Sequence, residues 1–165
     1  MVYRCATCGK THDDLPDLAF RWPDPYFGIP ETERATRIRG TTDLCSIDDE
    51  DFFIRGVILV PIVSTSDHLG LGVWVSQKRD NFESYVANFD TPDVGPFFGW
   101  LSNRITFYQP TTWLLKTMAH FQGNGTRPLI ALEPSDHPLY LDFSHGVSLE
   151  RAWKIAHAHS HPSVA

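Results

Sequence analysis

The sequence predicts a single α+β domain with a central, mostly antiparallel sheet, flanking helices and a Cys/His knuckle near its N-terminal end, and three observations lead there. Two β-branched and aromatic runs, residues 53–63 and 69–75, are separated only by the polar stretch Ser64-Thr65-Ser66-Asp67-His68, the pattern of a β-hairpin. Segments with helical spacing follow strand-like runs without strict alternation, which fits α+β better than a parallel α/β fold. A chain of 165 residues with 42% apolar and 13% aromatic content matches one core. Residues 1–30 then read as the knuckle and an extended wrap, part of the same domain whose α+β body is 31–165.

Taken in order, Pro16, Pro23, Pro25 and Pro30 punctuate the first segment and leave room only for short turns. Pro30 opens one or two helical turns over 31–35, with Glu31 and Glu33 near the positive end of the helix dipole. The hairpin of 53–63 and 69–75 lies at the centre of the sheet, although Pro61 weakens its pairing. Gly70 and Gly72 ease a bulge or a close approach of a neighbouring strand, and Gly70-Leu71-Gly72 lacks the third glycine and following helix of a phosphate loop. Phe82, Tyr85, Val86 and Phe89 share one helical face, with Asp80 or Asn81 as cap.

Residues 91–96 are a loop by their turn residues, and 97–101 are core or strand. Pro110-Thr111-Thr112 resembles a helix start, and Trp113, Leu114, Thr117, Met118 and Phe121 would line one face up to the stop at Gly123-Asn124-Gly125. Residues 129–132 and 139–141 read as a second strand pair. Ser148 caps a final helix whose apolar stripe is Leu149, Ala152, Trp153 and Ala156, with His157 near its end. Trp74, Trp100, Trp113 and Trp153 are expected in the core, and Trp22 at the surface.

A formal net charge of −6 disfavours nucleic acid and anionic membrane as partners, because both attract clustered Lys and Arg. No apolar run is long enough to span a membrane, and the first ten residues lack the apolar centre of an export signal, so the expected location is the cytoplasm. In that compartment Cys5, Cys8 and Cys45, an odd number, point to metal binding or free thiols rather than a disulfide framework.

Cys5-Ala6-Thr7-Cys8-Gly9-Lys10-Thr11-His12 is the sharpest local signal. Two thiolates separated by two residues grip a zinc ion from a tight turn, and His12 is within reach of the same ion. Structural zinc takes four ligands, so one is missing locally. Cys45 supplies it if its loop folds back, and the C-terminal histidines His157, His159 and His161 compete for the role. Against the metal stand free surface thiols or a metal-free redox pair, although the strand-to-helix context of a thioredoxin motif is missing. The C-terminal histidines also suit a solvated helix end that complements the dipole, and no metalloprotease Glu accompanies them.

Arg55 stands in an apolar strand and should pair with Asp43 or Asp48, or meet an anionic ligand. The acidic run Asp48-Asp49-Glu50-Asp51 lacks the alternating ligands of a calcium loop and reads as a solvated turn. No serine has a nucleophile-elbow context, and His68 and His137 read as solvated loop groups.

Taken together, Cys5-x-x-Cys8-Gly9-x-x-His12, Pro23-Asp24-Pro25-Tyr26, Asp43-Leu44-Cys45, Phe52-Phe53-Ile54-Arg55-Gly56 and Gly72-Val73-Trp74-Val75 resemble the bacterial domain-of-unknown-function family 2199. The likeness continues through Gly99-Trp100-Leu101, Arg127-Pro128 and Asp136-His137-Pro138-Leu139 to Gly146-Val147-Ser148. The resemblance implies a small bacterial protein with a zinc-knuckle-like N-terminus, Cys5, Cys8, His12 and Cys45 as linked positions, and Arg55 as a functional or structural partner. It implies no activity. The leading expectation is a non-enzymatic binding or regulatory domain with a structural zinc, whose partner is a protein or a small-molecule ligand. The alternatives are a metal-dependent hydrolase with water on an incomplete Cys5, Cys8, His12 shell, and a thiol switch closing a Cys5–Cys8 bond.

Overall fold

A computed structural model describes residues 3–5 and 8–160. In chain order its elements are β1 (Tyr3–Arg4), β2 (Thr11–His12), β3 (Leu18–Ala19), 3-10 turns at Asp24–Gly28 and Glu31–Glu33, α1 (Arg34–Arg37), β4 (Ile38–Gly40) and β5 (Leu44–Ile47). They continue with β6 (Asp51–Pro61), β7 (His68–Gln77), α2 (Arg79–Ala87), β8 (Phe97–Trp100), β9 (Lys116–His120), β10 (Leu129–Leu132), α3 (Pro138–His145) and α4 (Leu149–Ser160).

The expected hairpin is the spine of the molecule: β6 and β7 pair antiparallel from Phe52↔Gln77 to Pro61↔His68. Apart from Arg55 their central runs are free of charge, because both faces carry buried side chains. Ile54, Ile58 and Val60 point inward with Leu69, Leu71, Val73 and Val75, while Phe53 and Trp74 sit in a second cluster on the opposite face. Each long strand shares its other side between two neighbours. Along β6 these are β5 and then β10, the latter parallel at Leu129↔Val57. Along β7 they are β3, also parallel, and the end of β8.

The main sheet runs β3-β7-β6-β10-β9-β8, with β4 and β5 branching from β6. Its far edge returns to β7 through the Val75↔Leu101 bridge, and the Ser102 amide donates to the Trp74 carbonyl at 2.8 Å. The sheet therefore curls towards closure around Ile130, Ala119, Leu101 and the inward residues of the spine. Gly99 makes that seam feasible, since an added Cβ would collide with the Ser76 carbonyl.

On the outer face the proline-rich wrap is stitched to β7. Asp17 accepts from the Gly70 amide at 2.8 Å, the Phe20 amide donates to the Gly72 carbonyl at 2.9 Å, and Trp74 Nε1 donates to the Phe20 carbonyl at 3.0 Å. Gly70 is needed for this approach, because a Cβ there would meet the Asp17 carboxylate at 2.7 Å.

The helix expected from residue 110 is instead an irregular stretch followed by strand β9. Thr117 and Ala119 are buried between exposed Lys116 and His120, a period of two set by antiparallel neighbours on both sides. The strand expected at 139–141 is helix α3. Pro138 occupies its first turn, and the buried His137 caps it: Nδ1 accepts from the Leu139 amide at 3.0 Å while Nε2–H donates to the Pro110 carbonyl at 2.9 Å. His137 is thus a structural cap rather than a solvated loop group.

Helix α2 begins at Arg79, with Lys78 at the cap position and Asp80 in the first turn. Trp22, expected at the surface, is half-buried and stacks on Tyr26, whereas Trp100, expected in the core, is 40% exposed. Ser148 does cap α4, its hydroxyl accepting from the Arg151 amide at 3.1 Å. Asp142 then ties α3 to its surroundings, accepting from the Tyr108 hydroxyl at 2.8 Å and from Arg151 Nε at 2.9 Å.

Candidate metal centre

The knuckle is a two-strand ribbon closed by a tight turn. Tyr3 lies opposite His12 and Arg4 opposite Thr11. The Cys5 amide donates to the Lys10 carbonyl at 2.8 Å, and the Gly9 amide to the Cys5 carbonyl at 2.9 Å. Gly9 turns the chain at φ +68°, where a side chain would be strained. The Cys8 amide donates to Cys5 Sγ at 3.1 Å.

One ligand atom each from Cys5, Cys8 and His12 lie within 4.8 Å of one another. Cys8 Sγ and His12 Nε2 are 3.3 Å apart. Bonds of about 2.3 Å to sulfur and about 2.0–2.1 Å to nitrogen set S···N edges of roughly 3.5 Å around a tetrahedral zinc, so donor types and spacing both suit such an ion. Among the described residues no other group of three or more such side chains is gathered this way.

The centre rests on α4. Tyr3 stacks on Trp153 with ring centroids 4.6 Å apart and planes 8° from parallel, and the His12 ring is 5.5 Å from the same indole. One turn further along, His157 Nδ1 is 3.3 Å from Cys5 Sγ, and its ring meets His12 edge-on at 5.4 Å. The solvated helix end expected for the C-terminal histidines is therefore not what forms. Helix α4 runs on to Ser160, His157 faces the knuckle, and His159 Nε2–H donates to the Ala19 carbonyl at 3.3 Å. His161 lies outside the described residues.

Cys45, expected to fold back as the fourth ligand, is not brought to the centre. Its segment enters the sheet, where Cys45 pairs with Phe53 on one side and Gly40 on the other. It is fully buried with Ile47, Phe53 and Trp74 under Phe20, Trp22, Ile29 and Ile38. That burial pushes its thiol up to about 11, so it is held as a neutral apolar group.

Arg55 is not paired as expected either. Asp48 instead holds Arg37 at 2.7 Å, and the Asp43 carboxylate is taken by Arg127 at 2.6 Å. Arg55 donates to the Thr42 carbonyl at 3.3 Å and leans over the Trp74 ring at 6.0 Å, while its buried Nε has no hydrogen-bond partner among the described residues. Burial first, and the Arg127 charge second, pull the Arg55 guanidinium below its ordinary value, with Asp43 opposing both. Burial is the strongest influence and disfavours the ionised Asp43, but the hydrogen bonds from Arg127 and Thr42 together with the Arg127 and Arg55 charges outweigh it, leaving the carboxyl below the usual range.

A cleft of about 310 Å³ adjoins the centre on the Trp153 side, lined by Asp13, Asp14, Asp67, His68 and Leu149 among others. Cys5, Cys8 and His12 do not line it. No helix among the described residues is long and apolar enough to cross a membrane.

A curled α+β sheet carrying a Cys/Cys/His centre against its last helix defines the class: a small domain with a knuckle-type site able to hold a metal ion. Within that class the chain belongs to the family described as an uncharacterized protein conserved in bacteria, DUF2199, whose model matches residues 4–147. The matched stretch takes in Cys5, Cys8, His12, Cys45 and Arg55 and stops before α4. No curated protein and no solved structure matches the chain.

Proposed function

We propose that the protein is a non-enzymatic binding or regulatory domain of the bacterial cytoplasm, stabilised by a structural zinc at Cys5, Cys8 and His12. The observation that carries this reading is the convergence of two sulfurs and an imidazole nitrogen within 4.8 Å on a turn packed against a buried tryptophan. Two thiolates with imidazole are the donors that zinc prefers, and Cys5 is 1% exposed, as a structural ligand should be. The N-terminal ribbon has only two residues per strand, so an ion would supply much of the energy that orders it.

The partner is a protein or a small molecule. A groove of about 360 Å³ between β8, β9 and α3 suits either, presenting Trp100, Leu114 and Tyr140 beside Lys116 and Glu133.

Elemental analysis of the untagged protein, purified from zinc-replete cells, tests the reading. About one zinc per chain is expected, lost in Cys5→Ser and Cys8→Ser. A well-folded wild type without metal would sink it, and reversible Cys5–Cys8 oxidation in that metal-free protein would establish the thiol switch instead. Metal-dependent hydrolysis is the second reading; it needs a water on an open Cys5, Cys8, His12 shell, with Asp67 and His68 of the neighbouring cleft as the acid and base within reach of it. That reading requires zinc-dependent turnover of a model ester or phosphodiester that Asp67→Asn and His68→Ala abolish.

A further inference from the structure

We propose that His157 is the fourth ligand of the centre, so that the metal clamps the N-terminal knuckle to the last helix. The proposal rests on the reading that Cys5, Cys8 and His12 hold a metal, and goes beyond it by closing the shell with this chain's own α4.

The geometry is that of two matched sulfur–nitrogen pairs. Cys8 Sγ meets His12 Nε2 at 3.3 Å, and Cys5 Sγ meets His157 Nδ1 at the same 3.3 Å. Both separations are near the roughly 3.5 Å edge of a tetrahedral zinc with sulfur and nitrogen ligands. The two imidazoles face each other edge-on with ring centroids 5.4 Å apart, which sets the His157 ring beside that of a knuckle ligand. The three knuckle atoms form the mutually close set, and His157 adjoins it through Cys5.

His157 is also held in place independently of any ion. Trp153 lies one helical turn before it and is 1% exposed under the stacked Tyr3 ring, so the face of α4 that bears His157 is fixed against the ribbon by aromatic packing. The rival donors are engaged elsewhere: Cys45 in its apolar cluster, and His159 on the Ala19 carbonyl. Two thiolates and two imidazoles complete a structural shell and leave no position for a reacting water, which separates this site from a hydrolytic one.

Cobalt(II) titration of the full chain provides the test, with affinity read by competition against a chromophoric chelator. The wild type should show the visible bands of tetrahedral cobalt and near-ultraviolet bands from two thiolates. In His157→Gln the affinity should fall by at least the roughly 10–100-fold that losing even an outer-shell partner costs, and the tetrahedral bands should weaken. His157→Cys should keep the ion and raise the thiolate band in proportion to the added sulfur, a gain that does not depend on the Gln variant folding well. His159→Ala should bind as the wild type does. Wild-type affinity and spectrum in His157→Gln, an unchanged thiolate band in His157→Cys, or loss of the ion in His161→Ala would overturn the assignment while leaving the knuckle metal intact. No cobalt binding by the wild type would overturn the metal reading itself.

Discussion

Substitution of Cys45 distinguishes a sheet residue from a metal ligand. Its side chain is fully buried against Phe53 and Trp74. In Cys45→Ser the hydroxyl enters apolar surroundings, and a buried polar group left without a partner costs about 1–3 kcal/mol. Cys45→Ala removes one heavy atom, comparable to a deleted methylene, and should cost about 0.5–1.5 kcal/mol. Urea unfolding followed by tryptophan fluorescence should therefore rank wild type above Ala and Ala above Ser, with Trp74 reporting from the same cluster. Metal content should be unchanged in both variants. The thiol adds a pH signature. Its folded pKa of about 11 lies above the unfolded value of about 8.5, so its contribution is complete below the unfolded value and is lost as pH rises through the folded one. Tyr85, pushed up to about 12 chiefly by burial, adds its own loss only above its ordinary value of about 10. Between about pH 8.5 and 10, wild type should thus lose stability faster than Cys45→Ala. A folded Cys45→Ala that has shed its metal, or a Ser variant as stable as wild type, would refute this placement.

Two further substitutions probe the body. Gly99→Ala should weaken the seam between β8 and β7, because the new Cβ meets the Ser76 carbonyl and, at 2.7 Å, the Gln77 amide. A loss of about 1–3 kcal/mol in thermal unfolding is expected, and an unchanged midpoint would mean the seam is not closed in solution. Asp142→Asn removes the charge that Arg151 grips and leaves one oxygen to accept from both Arg151 and the Tyr108 hydroxyl; with Asp142 largely buried and Arg151 partly exposed, a loss of about 1–3 kcal/mol in urea is expected. Full stability in that variant would show that the Asp142 contacts do not hold α3 and α4 together.

What could be read from the residues depended on how local its cause was. The β6–β7 hairpin was legible because residues 53–63 and 69–75 are apolar on both faces, and α4 because its stripe begins just after a capping serine. Residues 113–121 were ambiguous: Trp113, Leu114, Thr117, Met118 and Phe121 satisfy a helical period, while Thr117 and Ala119 satisfy a strand, and strands β8 and β10 decided between them. The three apolar residues 139–141 were too few to show any period, and a histidine cap is not a signal that composition reveals. The Cys5, Cys8, His12 grouping was legible because one turn builds it. His157 came close through the packing of Trp153, and Cys45 was withheld by strand pairing, so neither outcome was encoded near the motif itself.

The shared flanks of β6 and β7 bear on how much open sheet edge the described residues present. These strands are long, apolar and β-branched, the composition from which intermolecular β-pairing grows once a row of amides and carbonyls is open. Here β5 and β10 divide one side of the spine, β3 and β8 divide the other, and the outermost strands of the main sheet away from the seam are β3 and β4, of two and three residues. A second copy of the chain finds too few unpaired groups there to template a growing sheet. Opening at Gly99 would change this first, because withdrawing β8 uncovers the β7 backbone around Trp74 and Val75.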